Sequence, residues 1–269
     1  MVYKKLAIAT LAVLGLQMNS YATEKSHNSD KADAKTESHH AIWTYEGKTG
    51  PAHWGSLSEK YALCSTGKQQ SPIDISKSTK TDLPQLEFNY NPFPLVIANN
   101  GHTIGVVTDK GGLLKIGEES YKLWQFHTHA PSEGTINGKH ADMVIHFVHV
   151  NAQNKDQLKF AVVGVYLEKG KTANPLIETL WKVMPKTASE EPQKHDIQID
   201  AKQLLPQDKN YYTFTGSLTT PPCWEGIKWM ILKQPVSISA EQLAQYHALY
   251  PHNARPLQPL NGREVLSSN

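Results

Sequence analysis

Short runs of apolar or alternating residues, separated by turn residues, recur from position 41 to the end of the chain. Runs of this length and pattern are typical of β-strands. The predicted strands cover residues 86–90, 95–98, 103–108, 121–129, 142–150, 158–168, 211–215 and 228–233. Because helical segments do not alternate regularly with these strands, the pattern favours a mainly antiparallel sheet over a doubly wound one.

Two helical segments interrupt the strands. The first begins at Asn174, has Pro175 in its first turn and stops before Pro185. The second begins at Ser239, and Gln242 three residues later completes a capping box. The pattern therefore predicts a mainly β fold of the α+β class. We expect one domain around a large, mostly antiparallel twisted sheet, with a few short peripheral helices.

The first 40 residues follow a different pattern. Two lysines precede the apolar run at 6–16, and a small-x-small cleavage pattern ends at Ala22. This is the layout of a secretory signal peptide, and the run is too short for a membrane span. We expect residues 1–22 to be a signal peptide and residues 23–40, which lack apolar periodicity, to be a disordered polar linker. Residues 41–269 then form the folded domain, in an exported compartment.

Composition narrows the class of protein. The chain has 269 residues, of which 39% are hydrophobic and 19% charged, with a net charge of +2. These values suit one globular domain, and a charge this small gives no reason to expect nucleic acid or an anionic membrane as a partner. No second apolar run is long enough to cross a membrane. A homodimer or higher homo-oligomer is compatible with the sequence.

The chain has two cysteines, Cys64 and Cys223. In an oxidising compartment such a pair is interpreted as one disulfide. It would close a loop of about 160 residues, for which the chain-entropy estimate is a stabilisation of roughly 4–5 kcal/mol. The alternative is two free buried thiols.

The histidines offer the clearest chemistry. On a β-strand, residues two apart share a face, so His127 and His129 would point the same way, with Gln125 beside them. For an isolated pair of this kind, two surface histidines on a polar strand face are the favoured interpretation, so a metal site requires a third ligand. His146 on the predicted strand 142–150 can supply it, whereas His149 would point to the opposite face as a structural residue. Three neutral imidazoles leave an open fourth position on zinc, which is typical of a catalytic site.

Five segments of the chain resemble α-class carbonic anhydrases of the bacterial exported type. They are QFHTHAPSE (125–133), HFVH (146–149), NNGHT (99–103), GSLTTPPC-x-EG (216–226) and RPLQPLNGR (255–263). The similarity runs in order from about position 43 to 265. It implies the α-carbonic anhydrase fold and the zinc-dependent, reversible hydration of CO2 to bicarbonate and a proton, in which a zinc hydroxide attacks CO2. The pKa of about 7 for zinc-bound water is the established value for carbonic anhydrases.

The resemblance also implies roles for individual residues. Zinc is held by His127, His129 and His146, and Gln125 fits as the acceptor for the second nitrogen of His127. Thr219 accepts a hydrogen bond from the hydroxide and donates its own to Glu133. The remaining residues are the proton shuttle His102, the cavity residue Tyr45, which orders shuttle waters, and the substrate pocket formed by Val148, Val162, Leu218, Trp229 and Thr220.

One position departs from the family pattern. The family commonly has a glutamate two residues before the third histidine, and this chain has Val144, which cannot accept a hydrogen bond. Such partners typically contribute about 10- to 100-fold in metal affinity or activity, so we expect weaker zinc retention. Asp142, a water or a side chain from elsewhere could take over the role.

Two other functions are compatible with parts of the pattern. A cupin-type metalloenzyme would use His127, His129 and Glu133 as its H-x-H-x3-E motif, but no Pro-x-Gly of the second cupin motif precedes His146. A non-catalytic carbonic-anhydrase-like binding domain would be expected to have lost zinc histidines, whereas all three are present.

Overall fold

The structure is a computed structural model that describes residues 41–151 and 159–269. The expected signal peptide at 1–22, the expected linker at 23–40 and the expected start of a strand at 158 lie outside the described residues. The strands are β1 (Asp74–Ile75), β2 (Thr79–Lys80), β3 (Leu86–Tyr90), β4 (Phe93–Asn99), β5 (Ile104–Val107), β6 (Gly112–Ile116), β7 (Glu119–His129), β8 (Thr135–Ile136), β9 (Met143–Asn151), β10 (Phe160–Lys169), β11 (Gln193–Ile199), β12 (Tyr211–Ser217), β13 (Glu225–Leu232), β14 (Val236–Ile238) and β15 (Leu266–Ser267).

The helices are short and lie outside the sheet. They are α1 (Trp54–Leu57), α2 (Leu63–Thr66), α3 (Pro175–Val183) and α4 (Ala240–His247), with 3₁₀ turns at Gly47–Thr49, Glu59–Tyr61 and Ala201–Leu204. The two predicted helix starts are confirmed. The Asn174 side chain caps α3 by accepting hydrogen bonds from two backbone N–H groups. Ser239 and Gln242 form the reciprocal capping box of α4.

Most described strands join one large twisted sheet, in the order β11-β4-β5-β7-β9-β10-β13-β12-β15-β2. Among the described residues, nine strand pairs are antiparallel and four are parallel. The prediction of a mainly β fold around a mostly antiparallel sheet is therefore confirmed. The parallel pair β10–β13 lies next to the centre and was not predicted.

The two faces of the sheet carry different apolar clusters. One face packs against α3 and α4, whose Leu176, Trp181 and Tyr246 are buried in the larger core. The opposite face carries a smaller cluster that includes Val144, Val148, Val162 and Trp229. Because β9 is buried on both faces over most of its length, it can present polar side chains to a protected interior.

A bulge in β7 sets which residues face the smaller cluster. Leu123 pairs with His149 and Gln125 with Val148, so Trp124 is an extra residue between the two pairs. As a result Leu123 and Phe126 both pack into the larger core, and Gln125 starts the alternation that leads to the two histidines at the end of β7.

Candidate metal centre

Three histidines from two neighbouring strands meet on the face of the smaller cluster. His127 and His129 lie at the end of β7, and His146 pairs directly with His127 across β7 and β9. One nitrogen from each ring lies within 4.8 Å of the other two. The predicted convergence of these rings is thus present, because strand alternation and register place all three on the same face.

Hydrogen bonds fix which ring nitrogen of His127 and of His129 faces the other histidines. Nδ1 of His129 lies 2.7 Å from the backbone carbonyl of Asn253, and Nδ1 of His127 lies 2.8 Å from Oε1 of Gln125. These oxygens only accept, so each Nδ1 carries the hydrogen and each Nε2 keeps its lone pair. Nε2 of His129 is buried and has no hydrogen-bond partner among the described residues. A buried acceptor directed at two other imidazoles fits a metal ion.

Burial keeps the imidazoles of His127 and His146 neutral. It lowers the pKa of His127 well below 6.5, and the adjacent His129 ring adds to the effect. The pKa of His146 is also well below 6.5, first through burial and then through the two neighbouring rings. Because zinc binds the deprotonated imidazole, these two residues can bind a cation at neutral pH without first losing protons.

The Glu133 carboxylate lies beside the rings of His129 and His146. Its Oε1 accepts a hydrogen bond of 2.8 Å from the backbone N–H of Arg255. Its Oε2 lies 3.6 Å from Nε2 of His129 and 3.9 Å from Nδ1 of His146, and it has no hydrogen-bond partner among the described residues. The hydrogen bond from Thr219 that the resemblance implies is therefore not formed in this structure, although the Oε2 acceptor is free for it.

A cavity of about 80 Å³ opens onto the three histidines. Apart from Glu133, the other residues predicted for the site all line this cavity: Tyr45, His102, Gln125, Val148, Val162, Leu218, Thr219, Thr220 and Trp229. Four further apolar or aromatic residues of its wall, Trp43, Val107, Trp124 and Phe160, were not predicted. Trp124 reaches the cavity because of the β7 bulge, and its ring centroid lies 6.2 Å from that of Phe160. The cavity is thus polar around the histidines and largely apolar elsewhere.

His102 and Tyr45 lie on the polar side of the cavity. The His102 ring stacks on Trp43 at 3.7 Å between centroids, with an interplanar angle of 8°. Burial lowers the pKa of His102 from its usual 6.5. The Tyr45 hydroxyl is buried without a partner in the described part of the chain. Its pKa is well above 10, through burial first and then the Glu133 charge. It therefore remains a neutral hydroxyl facing the site.

Two supporting residues were missed by the sequence analysis. Asn253 accepts from the His129 ring through its carbonyl, and its side chain donates to the backbone carbonyls of His102 and Thr128. It therefore links the ligand strand to the His102 turn. The spacing pattern cannot reveal this residue, because its contact with the ring is made by the backbone.

Arg255 is the second missed residue, although it opens a motif that carries the resemblance. Its guanidinium donates to Oε1 of Gln70 and to the carbonyls of Ser71 and Cys64, while its backbone N–H holds Glu133. It thereby connects the carboxylate behind the histidines with the segment that carries the first cysteine.

Cys64 and Cys223 form a disulfide across 159 positions of the chain. The predicted pairing is confirmed, and the alternative of two free thiols is wrong. The bond lies in a small cluster with Trp43, Trp54 and Tyr61. Since Cys223 follows Thr219 and Thr220 closely, the bond anchors the loop that carries these two cavity residues. Such a bond is consistent with an exported protein.

Comparisons with known proteins agree with this geometry. A model of the family described as eukaryotic-type carbonic anhydrase matches residues 49–269. The chain belongs to the α-class carbonic anhydrase family. A carbonic anhydrase of Klebsiella pneumoniae is 45% identical over 227 residues, covering 83% of this chain and 90% of the relative. A carbonic anhydrase of Nostoc sp. is 38% identical and covers 98% of this chain and 96% of the relative.

A solved structure gives the same result for the fold. The α-carbonic anhydrase of Thermovibrio ammonificans, in complex with the inhibitor sulfanilamide, has a TM-score of 0.79 and 42% identity, covering 84% of this chain and 99% of that one. Family membership excludes the cupin alternative, in which Glu133 would bind the metal. Among the residues that the structure describes, no helix is both long and apolar enough to span a membrane.

Proposed function

We propose that this α-class carbonic anhydrase catalyses the reversible hydration of CO2 with a zinc ion held by His127, His129 and His146. The observation that supports this most directly is the buried, unpartnered Nε2 of His129, which faces the other two rings at the base of the cavity. Zinc bound by three imidazoles acts as a Lewis acid and makes water nucleophilic near neutral pH. The residues around it then bind CO2, orient the nucleophile and remove the proton.

The apolar wall would hold CO2. The substrate carries no charge, so a dry surface beside the nucleophile is the available way to retain it. Val148, Val162, Leu218 and Trp229 line the cavity together and provide this surface. Thr220, which lines the same cavity, would offer a hydroxyl to the bicarbonate that forms.

Thr219 and Glu133 would orient the nucleophile. The free Oε2 of Glu133 is a buried acceptor, and a donor that reaches it gains a strong charge-assisted hydrogen bond. If the Thr219 hydroxyl donates its hydrogen to Glu133, the Thr219 oxygen can only accept a hydrogen bond. By accepting one from the nucleophile, Thr219 would hold the nucleophile in one orientation. This arrangement removes the entropy cost of orienting the attacking atom.

His102 would carry the released proton to solvent. Its ring lines the cavity and is partly exposed, and a histidine exchanges protons near neutral pH. Tyr45, with a buried hydroxyl that lacks a protein partner, would hydrogen-bond to water between the histidine and the nucleophile. We also propose that residues 1–22 direct export to the periplasm and that residues 41–269 are the domain that functions there.

The test is the zinc content of the purified protein, together with the rate of CO2 hydration before and after chelation and after zinc is restored. His129→Ala should lose both zinc and activity. His149→Gln is a matched control, because His149 is also a buried histidine of the same sheet but faces the opposite core. A wild-type chain that binds no zinc, or whose rate is unaffected by chelation, would disprove the proposal.

A further inference from the structure

The two ring nitrogens of His146 have different surroundings. Its Nδ1 lies 3.9 Å from Oε2 of Glu133, the same oxygen that lies 3.6 Å from the free Nε2 of His129. Nδ1 of His146 is therefore the nitrogen that faces the other two histidines, and Nε2 points away from them. In a neutral ring that binds a metal through Nδ1, Nε2 carries the hydrogen and needs an acceptor. The described residues provide no hydrogen-bond acceptor for it.

The side chains nearest in sequence do not fill this role. Val144 lies on the same face two residues earlier, is fully buried and has no polar atom in its side chain. Asp142 accepts a hydrogen bond of 2.7 Å from the backbone N–H of Lys169, so its carboxylate is engaged at the end of β9. Of the replacements left open by the sequence, a water and a side chain from another strand remain.

A second, smaller cavity lies beside His146. Its volume is about 10 Å³, close to the space that a single water needs. The polar side chains that line it are those of His146, Tyr166, Glu133 and Ser71, and the rest of its wall is largely apolar. A buried water is stable where it has two to four polar partners, and this cavity offers them.

The position of Tyr166 follows from the register of β9 and β10. Tyr166 pairs with Val144, and Gly164 pairs with His146. Tyr166 therefore lies on the same face as His146, one residue pair further along the two strands. The Ile231 side chain packs over Gly164 and forms part of the same cavity wall. Tyr166 is almost entirely buried, and no described residue forms a hydrogen bond with its hydroxyl. Two polar groups without a protein partner thus share one water-sized cavity.

We propose that Tyr166 is a positioning residue for the metal centre, acting through an ordered water in this cavity. The water accepts the hydrogen bond from Nε2 of His146 and a second one from the Tyr166 hydroxyl, which orients the imidazole in place of a glutamate at position 144. The inference rests on the proposed zinc site. It replaces the expectation of weak zinc retention with one of nearly normal retention, because a water held by Tyr166 of β10 takes the place of the acceptor missing at Val144.

The experiment compares zinc dissociation into a competing chelator for the zinc-loaded wild type, Tyr166→Phe, Val144→Glu and the double variant. Tyr166→Phe should accelerate dissociation by up to about 10- to 100-fold, as for loss of an outer-shell partner. Val144→Glu should change the wild type little but restore retention in the Tyr166→Phe background. Tyr211→Phe is the matched control, because the Tyr211 hydroxyl is bonded to the Pro84 carbonyl and lies far from the histidines in the larger core.

Equal dissociation from wild type and Tyr166→Phe would overturn the proposal, as would an equal gain from Val144→Glu in both backgrounds. If Val144→Glu does not fold, a high-resolution crystal structure of the zinc-loaded wild type decides. Density for a water within about 3 Å of both Nε2 of His146 and the Tyr166 oxygen supports the proposal, and an empty cavity rejects it. A wild type that holds zinc and hydrates CO2 while Tyr166→Phe is unchanged refutes only the role of Tyr166. A wild type that holds no zinc refutes the proposed function as well.

Discussion

His149 should make the folded protein sensitive to mild acid. It lies on β9 but faces the larger core, and it is fully buried. Its Nδ1 lies 3.1 Å from the carbonyl of Ala161 and its Nε2 lies 2.6 Å from the Tyr90 hydroxyl. The carbonyl can only accept, so Nδ1 donates and Nε2 accepts from the tyrosine. Protonation of Nε2 would replace that acceptor with a buried positive charge, which is why burial lowers the pKa of His149 to about 4.

The magnitude follows from the difference between the folded and unfolded states. In the unfolded chain the imidazole binds a proton near its ordinary pKa of 6.5, whereas in the folded chain it does so only near about 4. Between these values the unfolded state binds more protons, so the free energy of unfolding falls as the pH falls. The difference in pKa corresponds to a loss of roughly 3 kcal/mol of stability, which begins as the pH falls below about 6.5 and is complete by about pH 4.

Urea denaturation of wild type and His149→Gln, at pH values from about 7.5 to about 4.5, tests this prediction. Glutamine can accept from Tyr90 and donate to Ala161, but it does not titrate. The variant should therefore be less stable at neutral pH and lose less stability in acid, and the gap between the two chains should narrow by roughly 2–3 kcal/mol. Loss of zinc in acid affects both chains and cancels in the comparison. Parallel stability curves for the two chains would refute the reasoning.

Three further predictions concern the disulfide, an acceptor for a metal ligand and the shuttle. Replacing both Cys64 and Cys223 by serine should lower the free energy of unfolding by roughly 4–5 kcal/mol, measured by urea denaturation against the oxidised wild type; a loss below about 1 kcal/mol would contradict the loop-entropy estimate. Gln125→Ala removes the acceptor for the His127 ring and should weaken zinc binding by about 10- to 100-fold in chelator competition, while the apo-protein remains folded. His102→Ala should lower kcat by about 10- to 100-fold at low buffer concentration and leave kcat/KM nearly unchanged, because proton transfer follows CO2 conversion; an equal loss in both constants would argue against a shuttle.

The sequence predicted eight of the fifteen described strands, and β6 and β14 are among those it did not predict. All eight predicted strands are present to within three residues at each end, although the predicted start at 158 lies outside the described residues. β11 was missed because its residues are mostly exposed and polar, as suits the edge of a sheet. The two-residue strands β1, β2, β8 and β15 were missed because they exist only through pairing with distant partners. No local pattern encodes such pairing.

The candidate site was predictable to the extent that it depends on strand alternation. The positions of His127, His129 and Gln125 follow from a period of two, and the register of β9 adds His146. The bulge at Trp124 was not predicted, because the sequence analysis assumed that side chains alternate without interruption along β7. Asn253 was also not predicted. It contacts His129, 124 positions earlier in the sequence, through its backbone carbonyl, and any residue type could make that contact.

The hydrogen bonds of Arg255 have a consequence for shortened homologues. A sequence that ends before this arginine would still contain the three histidines and the whole GSLTTPP segment. It would nevertheless lack the N–H group that holds Glu133 and the guanidinium that binds the Cys64 carbonyl. A histidine signature found in a truncated gene product is therefore not enough to infer turnover, and genome surveys of this family should require an arginine at this position as well.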